Sequence, residues 1–143
     1  MNEIRLKRLF LAGLITLVVF IMVEFLVESV FERVVFEHGL NEWYLKLRIP
    51  HWGWANNLIN ILIALLNTTM IIWLYAALRP MFGVGVKTAL ITSLFGFTFV
   101  TAFAINMANI GYYPWRIALL ETGYLLIELP LAILAGAYFY ERD

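Results

Sequence analysis

Glu24, Glu28, Glu121 and Glu128 all fall inside long apolar stretches of the chain. An acidic group held at the centre of a membrane-spanning helix costs about 2.5–3.5 kcal/mol on the insertion scale, so each of the four is a candidate for function. Glu24 and Glu28 are four residues apart and Glu121 and Glu128 seven, so each pair projects from one face of its helix. Counted from the helix ends, Glu24, Glu28, Asn57, Asn60, Asn106, Asn109 and Glu121 share one depth near a membrane surface, with every span contributing. Asn67, Thr98 and Glu128 share a second depth near the midplane, together with Thr16, Thr68, Thr69 and Thr101. Pro130 has no N–H and therefore frees the Leu126 carbonyl beside Glu128.

Two chemistries suit such a set. Carboxylates with amide oxygens can coordinate a hard divalent cation, and acids within a membrane can relay protons. The structural alternative is that Glu24, Glu28 and Glu121 reach interfacial water, Arg33 or Arg116. Glu128 would then be a protonated acid bonded to Asn67 or a threonine, joining two helices at ~0.6 kcal/mol.

Other chemistries find little support. The chain has no cysteine, which removes thiol catalysis, thiolate metal sites and disulfides. None of the four glutamates is followed three residues later by histidine, as a carboxylate-bridged di-iron site requires. His38 and His51 are the only histidines, and both lie between the first two spans. There, with Glu37 or Glu42, they are candidate metal ligands, more often simply solvated, and they cannot hold a haem within the membrane. The run from Gly83 to Thr88 lacks the spacing of a phosphate loop, and Asn67-Thr68-Thr69 lies mid-span, where no glycan is added. No nucleophile, base and orienting group share one face and depth. With 10 Lys+Arg against 10 Asp+Glu the basic surplus needed for nucleic acid is missing. No cofactor is expected apart from a divalent cation at the carboxylate and amide cluster.

Four helices must position these groups. Of the 143 residues 63% are hydrophobic and 14% charged, too few polar side chains to cover a water-soluble fold. The apolar residues form four bilayer-length spans: Leu6–Val30, Ala55–Leu78, Thr88–Ile110 and Ile117–Tyr140. The first continues through Glu24 with no small-residue cleavage site after it, so it reads as a retained anchor. Arg5, Lys7, Arg8, Arg79, Lys87 and Arg142 fall on one side, and Arg33, Lys46, Arg48 and Arg116 on the other, which favours both termini in the cytoplasm. Pro80 is expected to stop the second helix, and Gly83 and Gly85 to allow the reversal. Spans three and four are joined by a very short link. Between spans one and two, the first helix is expected to run on towards Gly39, followed by a short interfacial helix capped by Asn41. Trp43, Tyr44, Trp52, Trp54, Tyr112, Tyr113 and Trp115 form an aromatic belt at one leaflet. Ala89/Ser93, Ala104/Ala108 and Ala132/Gly136 are small residues four apart that permit close helix contact, within one chain or between two.

The segments Trp73–Ala89, with its Arg-Pro-Met-Phe-Gly turn, and Leu134–Glu141 resemble those of small uncharacterised bacterial four-helix integral membrane proteins. The resemblance implies a membrane fold and brings no activity with it.

The sequence thus predicts one all-α domain over residues 1–143: four transmembrane helices in an antiparallel bundle, integral to a bacterial inner membrane. Three functions fit. The first is an interaction protein, associating with a larger membrane protein or with itself. The second is an ion- or proton-coupled transporter or channel using the four glutamates. The third is a membrane enzyme or a lipid- or quinone-binding protein. Besides the lipid bilayer, any partner would be a membrane protein and not nucleic acid.

Overall fold

The computed structural model describes residues 5–35, 53–112 and 114–142. All regular structure among them is helical: α1 (Leu6–Val35), α2 (Trp54–Phe82), α3 (Val86–Asn109) and α4 (Trp115–Glu141). In hydrocarbon a backbone must bond within its own segment, so long apolar runs become helices even where β-branched residues are frequent. The shortest, α3, has 24 residues and extends ~36 Å at ~1.5 Å per residue, more than the ~30 Å of a hydrocarbon core. All four are long and apolar enough to cross a membrane.

The helix ends depart from the sequence reading at one point. The first helix, as expected, carries its charged residues beyond the span, to Val35 among the described residues. The second does not stop at Pro80 but continues to Phe82. Proline removes only one backbone bond, to the carbonyl four residues before it, so a helix near its end can run past it. The actual stop is Gly83, whose φ of 87° takes the backbone out of the helical region, with Gly85 at 116° completing the reversal. Thr88 Oγ1 donates to the Gly83 carbonyl and Gly85 N–H donates to the Tyr75 hydroxyl at 3.1 Å, tying the link to both helices.

The bundle is built around α4, the most buried of the four helices, while α2 is the least buried. Helix α4 lies against α1 and α3, and α2 closes the ring by packing on the same two. Close approach depends on small residues. Gly136 of α4 meets Ala12 and Thr16 of α1 and Ile72 of α2. Gly13 of α1 meets Thr69 of α2, and Gly96 of α3 meets Ile71 and Leu129. Ala89, Ser93, Ala104, Ala108, Ala132 and Gly136 are all buried, so the three small-residue pairs serve packing inside the chain.

Polar contacts gather the start of α1, the end of α2, the start of α3 and the end of α4 at one end of the bundle. Arg8 donates to the Arg142 carbonyl at 2.6 Å, and Arg79 pairs with Glu141 at 3.1 Å. Arg79 also lies over the Tyr140 ring, whose edge-to-face partner is Tyr75. The opposite half of α2 differs: every residue from Trp54 to Ile63 is exposed, so this stretch has no buried side at all. The expected interfacial helix, with Trp43, Tyr44, Trp52, His38 and His51, falls in residues 36–52 and lies outside the described residues, as does Tyr113.

Candidate functional site

Glu128 stands at the middle of α4, midway between Trp115 and Glu141. It is 1% exposed, the only carboxylate among the buried polar residues described. Its helix buries it because Tyr124, Leu125, Leu129 and Ala132, one turn before and after, all face the bundle. Pro130, two residues on, is half-buried within the unbroken helix.

The other predicted groups are arranged differently. Glu24 and Glu121 are half-buried, and Glu28 lies within α1 with its side chain outside the description. Asn57, Asn60 and Asn67 on α2, and Thr98, Asn106 and Asn109 on α3, are all exposed. The amides therefore sit on outward surfaces while Glu128 is enclosed. Among the described residues no three of His, Cys, Asp and Glu come together to hold a metal ion.

Hydroxyls within the spans mostly satisfy themselves. Thr16 donates to the Ala12 carbonyl, Thr92 to Thr88, Ser93 to Ala89 and Thr98 to Leu94, each at 2.8 Å. Thr68 and Thr69 both turn back to the Leu65 carbonyl, at 3.1 and 2.7 Å. A hydroxyl has one hydrogen to place and the carbonyl one turn back can take it, so these residues place little demand on a neighbour. The Oγ1 atoms of Thr101 on α3 and Thr122 on α4 are buried and make no hydrogen bond among the described residues. A carboxamide has two N–H groups and a carbonyl to satisfy, so the exposed asparagines carry the larger unmet polarity.

One polar assembly escaped the sequence reading. Tyr75, Arg79, Gly85, Tyr140 and Glu141 form a ring–guanidinium–carboxylate set at the end of the bundle opposite Trp54. The signal was present in Arg79 at the end of one span, read only as a boundary charge, and in Glu141 at the end of another, which was given no role. Arg142 over Tyr138, at 4.6 Å from the ring centre, extends the same pattern. Its contacts all join helix ends, so it can lock the bundle shut at that surface.

Compared with protein-family models, curated proteins and solved structures, the chain finds no match.

Proposed function

We propose that the chain is a small integral membrane protein that acts by association within the bilayer, offering the Trp54 half of α2 to a partner. The reading includes helices antiparallel to their neighbours and both termini on the cytoplasmic side of a bacterial inner membrane, as the uneven placement of basic residues favours. One observation carries it: α2 is exposed on every side from Trp54 to Ile63, and Asn57, Asn60 and Asn67 are exposed along it. Lipid tails supply no hydrophobic drive for helices to associate, so packing and interhelical hydrogen bonds are what hold spans together. A half-helix without packing, bearing amides towards hydrocarbon, has both available for another protein.

Purification from native membranes in mild detergent tests this. Wild-type protein should elute in an assembly larger than one chain, and replacing Asn60 and Asn67 by leucine should release it. A single chain in both cases would refute the reading.

The burial of Glu128 at the middle of α4 supports a second reading, an ion- or proton-coupled carrier in which Glu24, Glu28 and Glu121 continue the path. It requires measurable flux in reconstituted vesicles that falls when Glu128→Gln is introduced; flux that is absent or unaltered excludes it.

A further inference from the structure

Asn67 lies within one residue of the middle of α2, where the bilayer is driest, and it is exposed. No hydrogen bond of its side chain occurs among the described residues. Its neighbours Thr68 and Thr69 return their hydroxyls to Leu65, which a carboxamide with two N–H groups and a carbonyl cannot imitate in full. Going back along the helix, Ala64, Asn60 and Asn57 follow Asn67 at spacings of 3, 4 and 3 residues. Such spacing draws a single seam along a helix that crosses its partner at a shallow angle. Ala64 within that seam is small enough to let two backbones approach.

We propose that this seam is a homodimer interface, in which α2 of two copies pack side by side and Asn67 of one bonds to Asn67 of the other. The proposal rests on the association reading above and names its partner. A second copy fits best because the amide is complementary to itself: each side chain can donate an N–H to the other's carbonyl, and a two-fold axis pairs a residue with its own equivalent. Both copies enter the membrane in the same orientation, so the axis runs along the bilayer normal and Asn60 also faces Asn60. Ile61 and Ile63, both exposed, border the seam and would exchange lipid for protein. The small-residue pairs elsewhere are already enclosed within the chain, and the exposed Asn106 and Asn109 of α3 lie near the end of their helix rather than at its middle, where Asn67 stands in α2. Towards the Phe82 end the same line reaches Ile71, which packs at Gly96 of α3, so the seam ends where α3 begins to occupy it.

The chain's lack of cysteine makes the test direct. Purified single-cysteine variants Asn60→Cys, Ala64→Cys and Leu66→Cys are reconstituted in phosphatidylcholine vesicles and oxidised. In parallel, energy transfer between labelled copies of the otherwise unaltered chain is followed on dilution with lipid. The first two variants should cross-link and Leu66→Cys, off the seam, should not. With two amide bonds across the axis, Asn67→Leu should weaken self-association about five- to tenfold, and Asn67→Gln should restore part of it. Absence of cross-linking and energy transfer at every dilution overturns the dimer. If the purified chain is then monomeric while the native-membrane assembly still depends on Asn60 and Asn67, the second copy is wrong and association with a different protein stands. If neither assembly exists, both proposals fall. Cross-linking of Asn60→Cys to Asn106→Cys within one chain also overturns the dimer, because α2 would then be closing on its own α3.

Discussion

Replacing Gly136 by alanine probes the junction that holds three helices together. A Cβ built there would lie 2.7 Å from Ile72 Cδ1 and 3.1 Å from the Ala12 carbonyl oxygen, and would overlap Thr16 Oγ1. None of the three can yield easily. Ile72 is fully buried, the Ala12 oxygen is backbone, and the Thr16 hydroxyl is fixed to that same oxygen at 2.8 Å. The extra methyl must therefore push α1 and α4 apart, and overpacking of this kind costs about 1–3 kcal/mol, more than the ~1 kcal/mol that alanine gains over glycine in a helix. Gly123 on the same helix is the internal control, because its Cβ would find nothing within 4 Å. Reversible unfolding in mixed micelles, titrated with denaturing detergent and followed by far-ultraviolet circular dichroism, compares the two. Gly136→Ala should lower stability while Gly123→Ala leaves it equal or higher. If Gly136→Ala is as stable as Gly123→Ala, the helices do not approach as described.

Three other substitutions test separate contacts. Tyr75→Phe removes the hydroxyl that accepts the Gly85 N–H at 3.1 Å, a partly buried bond, and should cost about 0.5–1.5 kcal/mol with faster amide exchange at Gly85. Glu141→Gln breaks the 3.1 Å ion pair with Arg79, whose side chains are 17% and 26% exposed for Arg79 and Glu141 respectively. Its effect should stay below about 1 kcal/mol and shrink as salt is added to the denaturation assay. Thr16→Val removes a hydroxyl that is satisfied within its own helix, so the same assay should show a change under about 1 kcal/mol.

The extent of each span was legible in the sequence, and direction around each helix was not. Hydropathy and length located the four spans, because a run of apolar residues has only one stable form in hydrocarbon. Glycine at 83 and 85 marked the reversal for a steric reason that the positive φ values bear out. Pro80 misled, since the penalty for proline is local and two further residues continued the helix. Which side of a span faces protein cannot be read when every side is apolar: Leu125 is buried and Leu126 exposed, though they are adjacent and identical. The same ambiguity affects the candidate site. Asn67 and Glu128 were assigned to one depth, but Asn67 is turned outward and Glu128 inward. Small residues gave better guidance, because close helix approach needs them and all three predicted pairs are buried.

The central claim, that the Trp54 half of α2 is a docking surface within the bilayer, is tested most directly by spin labels placed singly from Asn57 to Asn67 in lipid vesicles. Collision with dissolved oxygen reports which positions face lipid. The account predicts protection at 57, 60, 64 and 67, with Ile59, Leu62 and Leu66 open to oxygen. Equal accessibility at every position, unchanged by protein density in the membrane, would contradict it.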